Sequence, residues 1–323
     1  TLDIVIGEIL VEREAVARGI SRDELLAQEL PSRTLPVTDE DIALLYGQNQ
    51  NAFSGRTLED MKPEIRMFLD QQRPTQALHT FMHELRADAS DVQIDLDVPR
   101  TISGHILFHT RYGLGQRNLF HVLHAFSLHC NDCAYCQGMG PIGATLLCYL
   151  IPETAYSSMV AMHDVYDLHK IFSPGFPGLV ELFYVQNSLM KRYMPRLQAK
   201  LEGDMITSSS YATKWYITMF NGTVPFETQL RIWDAFFYEG PDVLVIAALA
   251  ILWNLQAKLL HASATFEYTL GALSSLFIPE NDDAFMMWIC NTLEKQDVRR
   301  SIAKARKEWA SLDQAGNAAS LAL

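Results

Sequence analysis

The arginine at position 100 of the 323 residues stands where its charged group can be held in a fixed direction. It closes the stretch Ile94-Asp-Leu-Asp-Val-Pro-Arg. Pro99 lacks an amide hydrogen and favours an extended residue before it, so we expect Arg100 to leave a stiffened loop. Asp97 is close enough to pair with the guanidinium group and orient it. Taken alone, Arg100 could equally be an ordinary surface charge.

A glutamine follows in the stretch Tyr135-Cys-Gln-Gly-Met. Gln137 carries its amide side chain to the start of an apolar, glycine-rich helix. That amide can donate and accept hydrogen bonds. Taken alone, it could equally be a capping group for the amides of the first helical turn.

Three of the five cysteines fall within seven residues, at Cys130, Cys133 and Cys136. This C-x2-C-x2-C spacing resembles the start of an iron–sulfur ligand set, and His129 could complete a zinc tetrahedron. The ferredoxin pattern needs a fourth cysteine where Gly140 stands. We therefore interpret the three as small, half-buried thiols at a junction of loop and helix, and we predict no resident metal.

His79 and His83 are four residues apart on a predicted helix and could hold a metal ion between them. They have no carboxylate partner in the pattern. We interpret them as an incidental pair, so residues 1–92 contain no catalytic constellation.

The charge of the chain excludes some classes of function. Its 323 residues include 26 Lys and Arg against 38 Asp and Glu, a net charge of −12. A general nucleic-acid binder or anionic-membrane binder needs a basic face, so neither class fits. Residues 1–99 hold 19 acids and 9 bases, whereas residues 100–323 hold 19 and 17. This shift in composition indicates two segments with different roles.

Two features favour a cytosol-like compartment. Residues 1–10 lack the basic region of a secretory leader, and an odd number of cysteines fits reduced thiols. The longest apolar run, Val243–Trp253, is too short to cross a bilayer and is typical of a buried helix.

Hydrophobic periodicity predicts helices almost throughout, so the predicted fold class is all-α. In the first segment, Ser21 with Glu24 is a capping-box pattern, and Thr38 and Thr57 are candidate caps. The helix after Thr57 is predicted to run to about Ala87 and to kink or split at Pro74. Later helices are predicted over Asn118–Leu128, Gln137–Ile151, Gly178–Leu197, Tyr211–Phe220, Phe226–Phe237 and Val243–Leu260.

Taken together, the arginine and glutamine motifs resemble the TBC domain family, the GTPase-activating proteins for Rab small GTPases. The pattern I-x-x-D-x-x-R ends at Arg100, and Y-x-Q-G runs from Tyr135 to Gly138. The stretches 210–215, 225–227 and 231–234 resemble later blocks of the family in the same order. The resemblance covers about residues 93–295.

This resemblance implies roles for ten residues. Arg100 would be an arginine finger and Gln137 a glutamine finger that orients the attacking water. Supporting or contacting roles fall to Asp97, Thr101, Tyr135 and Gly138. The remaining four would be scaffold, through tryptophan packing and a buried arginine–aspartate pair: Trp215, Arg231, Trp233 and Asp234.

The resemblance also implies a partner and a setting. The partner would be a Rab-family GTPase that carries GTP and Mg²⁺, so the chain would need no cofactor of its own and would have no independent catalytic activity. It would act in vesicle trafficking, in the cytoplasm or at the surface of endomembranes. The alternative is a helical module that binds a Rab or an adaptor without catalysis.

Residues 1–92 resemble a different unit. TBC domains normally open with a Gly-(Ile/Val)-Pro entry and an Arg-x-x-x-Trp helix, but this chain has no tryptophan before Trp215. Its acidic helical segment is similar to the N-terminal part of SurA-type chaperones, which leaves chaperone-like binding as a further alternative. We therefore predict a fusion joined near residues 92–100, a TBC-like domain over residues 93–310 without its usual first helices, and a frayed tail over 311–323.

Overall fold

The computed structural model describes residues 2–48, 56–130 and 132–314. Their order begins with α1 (Leu2–Arg18), α2 (Arg22–Arg33), α3 (Asp39–Gln48), α4 (Leu58–Asp97), α5 (Leu114–His129), α6 (Met139–Leu147), α7 (Pro152–Asp164) and α8 (His169–Phe172). It continues with α9 (Pro177–Tyr193), α10 (Pro195–Gly203), α11 (Ser208–Ile217), α12 (Phe226–Glu239), α13 (Asp242–Leu259), α14 (Phe266–Ser274), α15 (Asp282–Glu294) and α16 (Gln296–Gln314). These residues form no strand beyond one bridge between Asn221 and Val224. The predicted all-α class is confirmed.

The contacts between residues divide the chain into two compact units, Thr1–Val92 and Gln93–Leu323. The boundary falls inside α4. The first unit has two small apolar clusters, one around Leu25 and Phe81 and the other around Ile42 and Ile65. The second unit has one large core.

The predicted helix caps of the first unit are present. The Ser21 hydroxyl accepts from the Glu24 amide at 3.2 Å, and the Ser21 amide donates to the Glu24 carboxylate at 2.8 Å. Thr38 makes the same reciprocal pair with Asp41. Each pair uses two amides that lack a partner at a helix start, which explains why these patterns specify the starts of α2 and α3.

The long helix α4 corrects two parts of its prediction. It continues past Ala87 to Asp97, and it is not split at Pro74; a kink there stays a prediction. A proline inside a helix costs about 3 kcal/mol because a hydrogen bond is lost. Buried apolar side chains on both sides of Pro74, among them Ile65 and Phe81, hold the helix together. The local penalty is therefore smaller than the gain from packing.

A proline also divides one predicted helix of the second unit. The stretch Gly178–Leu197 was expected to be continuous, but α9 ends at Tyr193 and α10 begins at Pro195. Proline at the first position of a helix loses nothing, because that amide has no intrahelical partner. Pro152 and Pro177 begin α7 and α9 in the same way.

The apolar helix α13 lies at the centre of the second unit. Every side chain from Val243 to Leu252 is buried, and α9, α11, α12 and α15 pack around the helix. The prediction of a buried helix is confirmed. Within the described ranges α13 alone is long and apolar enough to cross a membrane, and 61% of it is buried inside the structure.

Candidate functional site

A short 3-10 turn, Val98–Arg100, follows α4 and displays the arginine at its end. The predicted extended conformation of the residue before Pro99 is therefore wrong. The Thr101 amide donates to the Val98 carbonyl at 3.2 Å, and the Thr101 hydroxyl donates to the Asp97 carbonyl at 2.8 Å. These bonds, together with burial of Val98, outweigh the preference of a residue before proline for extended backbone.

The carboxylate of Asp97 is the centre of a small polar network. It is only 3% exposed. It accepts from Gln93 Nε2 and from the Tyr135 hydroxyl, each at 2.9 Å, and it pairs with the Arg100 guanidinium. A buried carboxylate needs such donors to offset its desolvation. The sequence predicted the pairing with Arg100 but missed Gln93 and the bond from Tyr135, because neither pattern says which side chains meet across the fold.

The arginine itself faces solvent. Its side chain is 60% exposed, whereas that of Asp97 is 5% exposed. One guanidinium nitrogen is therefore held by the buried carboxylate. The other N–H groups of the guanidinium are exposed, so they can donate hydrogen bonds to a group outside the protein.

Burial controls the protonation of two neighbours of this network. It raises the pKa of Tyr135, and the hydrogen bond and charge of Asp97 add to the shift. Burial likewise raises the pKa of Cys136 to about 11, with a smaller contribution from Asp97. Both groups therefore remain protonated near neutral pH, so Tyr135 stays a hydrogen-bond donor to Asp97.

The glutamine lies just before α6, beside a glycine that the backbone requires. Gly138 has φ +114°, and a Cβ atom there would lie 2.9 Å from the carbonyl oxygen of Ile217. Only glycine accepts both the angle and the close approach to α11. Gln137 is exposed, and its side chain makes no hydrogen bond within the described part of the chain. This geometry gives no support to the capping alternative.

One open groove of about 660 Å³ brings the predicted residues together. Arg100 and Gln137 both line it. So do all four residues expected to support them: Asp97, Thr101, Tyr135 and Gly138. Residues of α11 and the loop after it, including Lys214 and Asn221, line the groove as well. Lys214 lies in the family-like stretch 210–215, but no role in the site was predicted for either residue. A guanidinium and a carboxamide thus border one space that is large enough for a group brought by a partner.

The expected scaffold residues divide into two groups. Trp215 and Trp233 are buried, and the Trp233 indole donates to the Met219 carbonyl at 2.9 Å. The predicted buried pair between Arg231 and Asp234 is wrong, because Asp234 is exposed.

Arg231 instead reaches the start of α15. Its guanidinium lies 2.5 Å from the carboxylate of Asp282 and 2.8 Å from that of Asp283. Acidic side chains are favoured at a helix N-terminus, and two of them there attract Arg231 more strongly than one neighbour on its own helix.

The cysteines do not act as three equivalent thiols. Cys136 turns away and contacts the carbonyl of Gln137. Cys130 and Cys133 lie beside two histidines, His163 and His169.

The two other histidine candidates have different surroundings. His129, which the sequence offered as a possible fourth ligand for the three cysteines, pairs with Asp164 at 3.1 Å. His79 is exposed, and the side chain of His83 lies outside the described residues.

Comparison with known proteins gives the following matches. A sequence profile described as Rab-GTPase-TBC domain matches residues 59–260. TBC domain-containing protein C1778.09 of Schizosaccharomyces pombe is 39% identical over 67% of this chain and 53% of its own length. Rab GTPase-activating protein tbc-11 of Caenorhabditis elegans is 30% identical over 62% of this chain and 21% of its own length. The chain thus spans between a fifth and about half of these relatives.

The fold has a counterpart among solved structures. The crystal structure of a Chlamydomonas flagellar RabGAP TBC domain matches with a TM-score of 0.54 and 21% identity, over 90% of this chain and 94% of that one. The profile match begins inside α4, earlier than the resemblance read from the motifs, and ends just after α13. The likeness of residues 1–92 to SurA-type chaperones stays a prediction. By the profile match over residues 59–260, the chain belongs to the Rab-GTPase-TBC domain family.

Proposed function

We propose that this chain is a GTPase-activating protein for a Rab-family GTPase, and that it supplies Arg100 and Gln137 in trans. The observation that carries the proposal is that both side chains border one open groove, with Arg100 held from behind by a buried carboxylate. Membership of the family and the names of its relatives support the Rab partner. GTP and Mg²⁺ would arrive with that partner.

The proposed role of Arg100 follows from the charge of the transition state. Negative charge builds on the oxygens of the transferring phosphoryl group, and a lone GTPase compensates it poorly. An arginine inserted from outside is typically worth about 10³–10⁵ in rate, or roughly 4–7 kcal/mol of transition-state stabilisation. The planar guanidinium can bridge two oxygens at once, which a lysine ammonium cannot do. One local cation is sufficient, so an acidic chain is compatible with this role.

The proposed role of Gln137 is to position the attacking water. A carboxamide can accept a hydrogen bond from water and donate one to a phosphate oxygen. Its exposure at the rim of the groove leaves both atoms available. The positive φ of Gly138, which glycine adopts without strain, fixes where α6 begins and thereby where the preceding residue lies.

The test measures single-turnover phosphate release from a panel of GTP-loaded Rab proteins, with and without the chain. We expect Arg100→Ala to reduce stimulation about 10³-fold or more, and Arg100→Lys to restore little of it. Gln137→Ala should reduce it about 100-fold, the usual cost of a misplaced reacting group. Arg196→Ala, an exposed arginine on α10, is the matched control and should retain full stimulation.

The affinity of each variant for the Rab bound to a non-hydrolysable GTP analogue separates catalysis from binding. Similar affinity with lost stimulation supports the proposal. Stimulation that survives both Arg100→Ala and Gln137→Ala would overturn the mechanism. Binding by the unaltered chain without any stimulation would identify a non-catalytic Rab-binding module instead.

A further inference from the structure

Two cysteines and two histidines, contributed by separate elements, lie close together beside the loop that leads to Gln137. Cys130 follows the last residue of α5, and Cys133 lies in the loop that leads to Gln137. His163 is in the last turn of α7, and His169 begins α8. One ligand atom from each of the four lies within 4.8 Å of the other three. Chain folding thus assembles a donor set that no single motif contains.

Four of the six distances within this set are close to those of a tetrahedral zinc site. Zinc bonds of about 2.3 Å to sulfur and 2.0–2.1 Å to nitrogen put tetrahedral sulfur and nitrogen ligands about 3.5–3.6 Å apart. Cys133 Sγ lies 3.5 Å from both His163 Nε2 and His169 Nδ1. Cys130 Sγ lies 3.6 Å from His169 Nδ1. The two nitrogens are 3.0 Å apart, slightly closer than the roughly 3.3 Å of the same geometry.

The spacing and chemistry of the ligands select the metal. The cysteines are separated by two residues and the histidines by five, both within the range of structural zinc sites. Two thiolates and two imidazoles suit zinc, whereas Mg²⁺ and Ca²⁺ prefer oxygen ligands. Two thiolates also neutralise the charge of Zn²⁺. This balance allows the site to be largely buried, as Cys133 and His163 are.

A carboxylate next to the cluster fixes the orientation of one ligand. His163 Nδ1 lies 2.6 Å from Asp164 Oδ1. As donor to this carboxylate, Nδ1 carries the proton and leaves the lone pair of Nε2 directed at the cysteines. Histidines that bind zinc commonly have such a carboxylate partner. The other carboxylate oxygen of Asp164 lies 3.1 Å from His129 Nε2. His129 therefore contacts a residue that orients a ligand and is not a ligand itself.

We propose that Cys130, Cys133, His163 and His169 bind a structural zinc ion. All four positions of the tetrahedron are filled by the chain, so no position remains for water or substrate. Binding releases the two thiol protons. The ion ties the end of α5 to α7 and α8 and anchors the loop four residues before Gln137. This proposal replaces the sequence-based interpretation of Cys130 and Cys133 as half-buried thiols without a metal.

The experiment measures the metal content of the full chain, expressed with zinc supplied and purified under reducing conditions without chelators. We expect about one zinc per chain. Cobalt exchanged into the protein should give the intense visible bands of a tetrahedral ion and thiolate-to-cobalt charge transfer. Cys130→Ser and Cys133→Ser should each lower the zinc content at least tenfold. Asp164→Asn should weaken zinc binding about 10- to 100-fold while the four ligands remain.

Cys136→Ser is the matched control, because it alters the third cysteine of the same run, which lies outside the cluster. It should retain one zinc. The cobalt spectrum of the unaltered chain remains decisive if a variant does not fold. Zinc below about a tenth of an equivalent, with no tetrahedral cobalt spectrum, would overturn the proposal, as would equal zinc content in the unaltered chain and both cysteine variants.

Discussion

At the scale of single residues, the groove combines an exposed cation with a buried anion. The buried carboxylate of Asp97 has no room to move, since Gln93, Tyr135 and Arg100 all donate to it. Because Arg100 is ion-paired with this carboxylate, the position of its guanidinium group is restricted as well. An exposed arginine normally loses considerable side-chain entropy when it engages a partner. We infer that Arg100 has lost part of that entropy on folding, which lowers the cost of binding.

Tyr135→Phe tests this positioning. The change removes one donor from the buried Asp97 carboxylate and leaves an oxygen without its partner, which costs about 1–3 kcal/mol in the free energy of unfolding. Because Arg100 is then less well held, the proposed function predicts that the maximal rate of GTP hydrolysis by the Rab, measured at saturation with the chain present, falls about 10- to 100-fold. The concentration of Rab at half-maximal rate should change little.

The matched control is Tyr238→Phe, a hydroxyl deletion at an exposed position of α12. It should leave both rate and stability unchanged. A Tyr135→Phe variant that loses affinity for the Rab, and not the maximal rate, would place the hydroxyl in the contact surface instead.

At the scale of elements, the site depends on the close approach of the start of α6 to the end of α11. The absence of a side chain at Gly138 permits that approach, and Thr101 packs on Gly140 two residues later. Three segments distant in sequence therefore meet at two glycines. A side chain at Gly138 or Gly140 would push apart the segments that meet there. These are the 3-10 turn that ends at Arg100, the loop that carries Gln137, and α11.

Gly138→Ala should be strongly destabilising. The positive φ and the contact with the Ile217 carbonyl each penalise a Cβ atom, and such strain costs about 1–3 kcal/mol. For a unit of this size we expect the thermal midpoint to fall by roughly 3–10 °C. Gly271→Ala, in an exposed part of α14 with open space around it, should be neutral or stabilising by up to about 1 kcal/mol. Equal midpoints for the two variants would contradict this account.

The sequence specified those elements whose causes are local. Capping pairs such as Ser21 with Glu24 lie within one turn, and the apolar run of α13 has no solvent-exposed alternative. The wrong predictions concern features whose causes are distant in sequence. Packing on both sides of Pro74 keeps α4 continuous, and Arg231 pairs with acidic residues at the start of α15 rather than with Asp234. The partners of Cys130 and Cys133 are about thirty residues further on, and no periodicity connects them.

Only part of the groove could be predicted from the sequence, because some of its contacts join segments that are distant in the chain. The motifs name its residues, but only the fold shows that Asp97 also receives Tyr135. Two side chains more than thirty residues apart can meet in many ways, and their hydrogen bond depends on how α4, α5 and α6 pack. Residue types therefore suggested the chemistry, whereas the support behind Arg100 required the structure.

At the scale of the whole molecule, the two units differ in how they are held together. Among its described residues, the first has two clusters of four or five buried apolar side chains. Its helices are joined by ion pairs that remain partly exposed, such as Arg33 with Glu84 and Lys62 with Asp39. Such pairs contribute about 0–1 kcal/mol each and weaken as salt is added. The second unit depends instead on a continuous core around α13.

This difference predicts a gradient of local stability that hydrogen exchange can measure on the intact chain. Backbone amides of α13 should exchange most slowly, because they open only when the large core unfolds. Amides of α2 and α3 should exchange at least about tenfold faster after correction for intrinsic rates, since each of these helices buries few apolar side chains. Raising the salt concentration should accelerate exchange in these two helices and leave α13 unchanged. Equal protection of α2 and α13, with no effect of salt on either, would show that the ion pairs and small clusters hold the first unit as firmly as the large core holds the second.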